Sequence, residues 1–429
     1  MIRNFIDYHI YLFKIQKKET ISFWTDMFLF CISCIATIKE WNNLFSSFTL
    51  RWAVIALILV SFLKFAWDLM SSIDQIKQWL DLRYSELFNE EIDPAEVLPS
   101  QIENKLEYER IECEIRPNIK DYVFNSEKID TYLRDNNLKL IECKHMENKI
   151  RYFIKNNKSQ LIPFLKWQYR ISKFYGKAFF NESKLCISND IKIGEQISCH
   201  KGCYYDTFLT NIICGKQLKS NKDNSIIADA TSFFPADYIN NNWVMHDITT
   251  AVVNNEIGVS TIALTKDNYL ILWNQNRSAQ SSNGLLVPTG SGSCDWNDIT
   301  EWDFNKTITN AMQRELWEES GKKNLANSYN EIGKTMLLGY FRWIIKGGKP
   351  EFVGITKLNV EYNALKSEEK EVYGGHKILI NEVNDIPESI NKIKSLGNIS
   401  VPLHMTLFCL NRYYNNSKDQ LKEFLFTEN

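Results

Sequence analysis

Arg314-Glu315-Leu316-Trp317-Glu318-Glu319-Ser320-Gly321 is the stretch on which the reading of this chain turns. As a helix it places Glu315, Glu318 and Glu319 at i, i+3 and i+4, on one face with neighbouring Cβ atoms. Three carboxylates on one turn repel one another unless solvent screens them or a cation neutralises them. Oxygen-only donors suit a hard divalent ion such as Mg²⁺ or Mn²⁺, which also bridges phosphate oxygens. Arg314 stands four residues before Glu318 and can orient it. Gly321 falls just past the helix, where a left-handed backbone is cheap. An ordinary acidic, solvated helix is the alternative.

The flanking sequence supplies a context. Val259–Thr265 and Tyr269–Trp273, joined by Lys266-Asp267-Asn268, predict two strands and a tight turn. Gly284–Pro288 predicts a third short strand, which runs into the glycine-rich turn Pro288-Thr289-Gly290-Ser291-Gly292-Ser293. Beyond the helix, Thr335–Ile345 and Pro350–Leu358 flank Lys346-Gly347-Gly348-Lys349, a hairpin signal. The tail, His404–Tyr414, is apolar at helical spacing and is expected to close the domain against its sheet.

Arg-Glu-Leu-x-Glu-Glu-x-Gly resembles the second half of the Nudix box, whose pattern is G-x5-E-x7-R-E-U-x-E-E-x-G-U with U a bulky aliphatic residue. Arg314, Glu315, Leu316, Glu318, Glu319 and Gly321 match it. The first half departs: its Glu falls on Lys306 and its Gly on Thr300, and Lys322 holds the last aliphatic position. The resemblance covers residues 255–415 or so and implies an α/β/α sandwich. It implies Mg²⁺ or Mn²⁺ on Glu315, Glu318 and Glu319, with Glu318 and Glu319 catalytic in an active hydrolase. The candidate ligand-binding residues are Arg314, Lys306, Arg342, Gly290 and Gly292. Arg277 and Lys346 are further basic residues of the region, and Glu368, Glu369 and Glu371 are loop carboxylates of the kind from which the family draws a base or ligand.

Composition bounds the rest. The chain has 429 residues, enough for two or three domains, and a net charge of −2, so no global basic field favours a polymeric nucleic acid. Ten cysteines without a repeating spacing read as reduced thiols of a cytoplasmic protein. Cys199-His200-Lys201-Gly202-Cys203, with Cys214 downstream, raises a zinc reading but has no clean partner pair.

Residues 21–38 and 52–63 are apolar runs, the first carrying only Asp26 and the second uncharged. Trp24, Trp52 and Trp67 sit near their ends and Lys39–Ser47 joins them, so a two-helix transmembrane hairpin is expected. Lys14, Lys17 and Lys18 before it, and Lys77 and Arg83 after it, place both termini in the cytoplasm by the positive-inside rule. The fold class expected is therefore α+β: a hairpin and stalk over 1–88, an intermediate α+β extension over 89–250, and a Nudix-like domain over 251–429. Within the extension, Arg151–Ile154 and Leu185–Ser188 are expected as strands, and Leu161–Phe174 and Tyr205–Ile213 as helices.

This order of segments resembles the transmembrane-Nudix effectors of bacterial cyclic-oligonucleotide-based anti-phage signalling systems (CBASS). The resemblance implies that the Nudix-like domain senses a cyclic nucleotide second messenger. The transmembrane helices then assemble as a homo-oligomer, breach the bacterial inner membrane and kill the infected cell. The alternative is a membrane-tethered, Mg²⁺-dependent hydrolase of nucleoside diphosphate derivatives. A third reading is a membrane adaptor whose domain binds protein and no nucleotide.

Overall fold

The structure is a computed structural model. It describes residues 2–15, 59, 102–106, 108–174, 176–220, 223–275, 284–321, 325–367 and 372–427. From Ile102 onward the described chain, 220–225 apart, folds as one compact unit; the helix over 2–15 belongs to a second.

The first half of the main unit supplies strands β1 (Ile102–Asn104), β2 (Glu109–Arg116), β3 (Ile119–Asn125), β4 (Leu140–Glu142), β5 (Ser183–Ile187), β6 (Ile197–Cys203), β7 (Gln217–Lys219), β8 (Ile226–Asp229), β9 (Ala236–Ile239) and β10 (Asn242–Met245). The second half supplies β11 (Gly258–Leu264), β12 (Tyr269–Gln275), β13 (Leu286–Val287), β14 (Gly290–Ser293), β15 (Gly333–Trp343), β16 (Lys349–Leu358) and β17 (Val372–Leu379). The main sheet has nine strands, running β13-β12-β11-β16-β15-β3-β2, with β14 also on β11 and β17 on β12. Strands β11 and β16 are parallel, and β15 and β16 form the expected antiparallel hairpin. Strands β2 and β3 extend this sheet through β15, so it takes strands from both sides of residue 250.

Alternation along these strands gives the sheet two apolar faces. Val259, Leu337, Tyr340 and Phe352 pack with Phe304, Ile308 and Met312 of the motif helix, Phe304–Glu319. Ile262, Phe341, Val353 and Ile355 pack on the other side with Leu403, Leu407 and Leu410 of the tail helix, Val401–Phe426. Ile308, Met312 and Leu316 are fully buried, and each contributes roughly 1.5–3 kcal/mol of apolar burial.

Two expectations are corrected. Arg151–Ile154 lies in a helix, Lys144–Asn156, because Met146, Ile150 and Ile154 recur every four residues and are the buried face. The two-helix transmembrane hairpin, and with it the inner-membrane placement, is overturned as well. The described helix at the N-terminus is a single short one over 2–15, carrying Arg3, Asp7 and Lys14. At 1.5 Å per residue it spans roughly 21 Å, short of the ~30 Å hydrocarbon layer. Among the described residues no helix is long and apolar enough to cross a membrane. The runs 21–38 and 52–63, with Asp26, Cys31 and Cys34, lie outside the described residues, as does the expected stalk.

One buried network ties both halves to the tail helix. Asp130, fully buried, accepts hydrogen bonds from the Tyr340 amide at 2.8 Å and Asn125 Nδ2 at 3.1 Å, and pairs with Arg412. Removing it strands the Arg412 charge and the two N–H donors. Asp130→Ala is expected to cost about 3–5 kcal/mol in chemical denaturation, with Asp130→Asn costing less.

Candidate functional site

The motif helix starts where the Asp303 carboxylate accepts from the Lys306 amide, 2.9 Å away. It stops at Ser320, and Gly321 follows at φ 126°, a backbone state that side chains disfavour. Burial of Ile308, Ala311, Met312 and Leu316 against the sheet fixes its rotation. Glu315, Glu318 and Glu319 are thereby brought to the seam with β14.

That seam is close because β14 carries glycines where the helix touches it. A Cβ on Gly290 would lie 2.5 Å from Leu316 Cα, and one on Gly292 would lie 2.2 Å from the Glu315 carboxyl carbon. The Ser291 amide donates to Glu319 at 3.0 Å and the Ser293 amide to Glu315 at 3.2 Å.

Arg314 organises the cluster. Its guanidinium makes a two-pronged contact with buried Asp298, both bonds 2.8 Å, and donates to the Ser293 carbonyl at 2.8 Å. It also reaches Glu315 at 2.9 Å and Glu318 at 3.3 Å. Burial pushes the Glu315 carboxyl up to about 7, with Arg314 and Lys184 pulling it down and Glu318 and Asp295 pushing it up. The Glu318 side chain is the more open of these two, at 33% exposure against 14%.

These groups border a cavity of about 470 Å³. Its other walls come from outside the motif. Lys184 of β5 pairs with Asp295 at 2.6 Å and Glu182 at 3.2 Å. Burial works against its charge, but Glu256, Asp295 and Glu182 outweigh that and raise it above an ordinary lysine. Lys349 and Glu351, at the start of β16, pair at 2.8 Å. Lys346 lies with Nζ 3.4 Å over the Trp343 ring, and burial pushes it down to about 8. Phe179, Phe208 and Tyr204, from the first half of the unit, form an aromatic side. Seven carboxylates face four basic side chains around the space.

Of the residues singled out from sequence, Arg314, Glu315, Glu318, Glu319 and Gly292 line the cavity, and Gly290 sets the helix–strand approach. Lys306 does not line it: it is exposed on the first helical turn and pairs with Glu301 at 2.5 Å. Arg342, on β15 of the hairpin, is buried and donates to the His246 and Gly348 carbonyls at 3.1 and 3.2 Å. Arg277, Glu368, Glu369 and Glu371 lie outside the described residues. His200 is hydrogen-bonded to Ser188 and Asn254, and the described cysteines are free thiols. Sequence reading missed Lys184, Glu256, Lys349 and Glu351. The available signal was Lys349-Pro350-Glu351, two charges opening a strand that continues through Phe352, Val353 and Ile355.

The donor chemistry fits a hard divalent cation: three neighbouring carboxylates, an acidic excess around the cavity, and a Glu315 carboxyl that burial raises despite Arg314 and Lys184. In the arrangement seen, Glu315 and Glu319 accept from β14 amides and Arg314 holds Glu315 and Glu318. Among the described residues no group of three His, Cys, Asp or Glu side chains stands in ligating position.

No protein-family model and no curated protein matches the chain. Among solved structures it is similar to a MutT protein from Methanosarcina mazei Go1, at 12% identity over 38% of this chain and 95% of that one, TM-score 0.26. A Nudix-family hydrolase from Clostridium perfringens shows 14% identity over 37% and 99%, TM-score 0.24. A C. elegans Ap4A hydrolase binary complex shows 15% identity over 38% and 98%, TM-score 0.23. At such scores the likenesses add nothing to the geometry above.

A carboxyl raised in the fold favours folding when protonated. Glu315 therefore supports the fold fully below its unfolded value near 4.5, and that support is lost as pH rises through about 7. In EDTA, stability of the native protein relative to Glu315→Gln is expected to fall by about 3 kcal/mol between pH 4.5 and 8, measured by denaturant titration.

Proposed function

We propose that the cavity is a divalent-cation-dependent site of Nudix type, acting on a nucleoside diphosphate derivative. The observation that supports this is the convergence of Glu315, Glu318 and Glu319 on one cavity, locked by Arg314 and by the amides of β14. Glu315, Glu318 and Glu319 would hold Mg²⁺ or Mn²⁺. Such an ion, when bound, neutralises carboxylates, screens a diphosphate and lowers the pKa of a water.

The residues of the chain do the rest. Arg314 is anchored on Asp298 and the Ser293 carbonyl, so it fixes where Glu315 and Glu318 stand. Glu318 has the more open carboxylate of that pair and is the candidate to take a proton from an attacking water. Carboxylates outnumber cations around the cavity, so a bare diphosphate is repelled. Binding, and not only turnover, is therefore expected to require the cation.

One observation favours a second reading, recognition of a cyclic nucleotide second messenger without cleavage, as in anti-phage signalling. The position where the full box carries a further carboxylate holds Lys306, which faces Glu301 at the surface. The helix thus offers three carboxylates and no fourth.

The full chain, incubated with Mg²⁺ and a panel of linear nucleoside diphosphate compounds and cyclic di- and trinucleotides, separates these readings by assay of both binding and product. Turnover of a linear diphosphate that drops about 100-fold or more in Glu318→Gln, at unchanged melting temperature, supports hydrolysis. Tight binding of a cyclic nucleotide without product supports recognition. In either case EDTA is expected to abolish binding; binding unaffected by EDTA contradicts the proposed site.

A further inference from the structure

On the reading above, the charged groups of the cavity serve a cation and a diphosphate, and one wall is left without a role. Phe179, Phe180, Tyr204 and Phe208 line the cavity together with Gln168 and Thr207. All six come from the first half of the unit. Gln168 lies in the helix Lys158–Phe174, and Phe179 and Phe180 precede β5. Tyr204 and Thr207 bound the short helix Tyr204–Thr207, which continues into Phe208–Ile212. There the Ile213 amide donates to the Phe208 carbonyl, five residues back, at 3.1 Å. Such a widened turn is rare and recurs at functional sites.

The wall is braced from within. The Tyr205 hydroxyl donates to the Phe179 carbonyl and its amide to Asn181 Oδ1, both at 2.9 Å. Phe179 lies against the Tyr205 ring with centroids 4.8 Å apart, and meets Tyr204 and Phe208 edge to face at 5.9 and 5.7 Å. Phe179 and Phe208 are buried, whereas Phe180 and Tyr204 are half-buried and keep surface on the cavity.

Contacts also fix the wall relative to the motif helix. The Tyr204 amide donates to the Glu182 carbonyl at 3.1 Å. Glu182 pairs with Lys184, Lys184 with Asp295, and Asp295 stands 3.7 Å from Arg314. Asn254, four residues before Gly258 of β11, donates from Nδ2 to the Thr207 hydroxyl at 2.8 Å. The rings and the three carboxylates therefore stand in one fixed frame.

Half-open aromatic rings suit a flat partner, because two π-systems stack and every nucleobase has a π-face. A primary amide such as that of Gln168 carries two N–H donors and a carbonyl acceptor. A heterocycle with donors and acceptors on its edge uses both the rings and the amide. An alkyl group would use the rings alone and cover the amide without bonding it.

We infer that Phe180 and Tyr204 form a nucleobase subsite, with Gln168 reading the edge of the base, so that the first half of the unit selects the ligand whose diphosphate the motif helix receives. This rests on the reading of the cavity as a site for a nucleoside diphosphate derivative.

The test uses the full chain in Mn²⁺ and binding by calorimetry. The probes are the α,β-methylene analogues of adenosine, guanosine, cytidine and uridine diphosphate, methylenediphosphonate, which has no base, and its butyl ester. In the native protein at least one nucleoside analogue is expected to bind about tenfold or more tighter than either base-free probe. Tyr204→Ala and Phe180→Ala are each expected to remove about tenfold of that advantage, with methylenediphosphonate bound as in the native protein. Tyr204→Phe keeps the ring and is expected to bind as the native protein does. Gln168→Leu is expected to narrow the preference among the four bases. Should one alanine variant fail to fold, the other decides. Nucleoside analogues that bind no tighter than methylenediphosphonate, or that bind natively to the folded alanine variants, overturn the subsite and leave the motif-helix site standing. A butyl ester that binds as tightly as the nucleoside analogues overturns the assignment to a nucleobase. A native protein that binds none of the probes overturns both readings.

Discussion

The site depends on how closely the motif helix lies against β14. At Gly290 the helix backbone at Leu316 occupies the space that any side chain would need. That contact sets the depth of the helix, and the apolar face of Ile308, Met312 and Leu316 sets its rotation. Only with both fixed do Glu315 and Glu319 reach the amides of Ser293 and Ser291. The carboxylates are therefore positioned by backbone groups of a sheet, which do not rotate away as side chains do. Arg314 adds a second restraint, because Asp298 holds its guanidinium in two directions at once.

Electrostatics then set the character of the cavity. Burying a carboxylate costs free energy unless a donor or charge compensates it, and around this space the carboxylates are in excess. Glu315 shows the strain most clearly, since Arg314 beside it does not bring its carboxyl back to the ordinary range. Lys184 shows the reverse: three carboxylates hold its proton on against burial.

The first half of the main unit is part of this machinery. It extends the sheet through β3 on β15, contributes Lys184 and the aromatic side of the cavity, and braces the Lys346 turn through Asn211. The membrane hairpin expected upstream finds no support in the short helix over 2–15.

The sequence by itself determined what local rules can determine. Helical spacing put three carboxylates on one face, strand alternation and turn residues marked β11, β12 and the β15–β16 hairpin, and Gly321 marked the helix end. These follow from periods of 3.6 and 2, which a short window displays. The four-residue run Arg151–Ile154 was misread because it is shorter than the helical period that governs it. Only the tertiary structure decided that Lys306 faces solvent and Arg342 is buried. It alone joined Lys184, Glu256, Lys346 and Glu351, which are scattered over more than 160 residues, into one cavity with the motif helix. Pairing between distant strands follows from how buried surfaces fit, and no residue spacing encodes it.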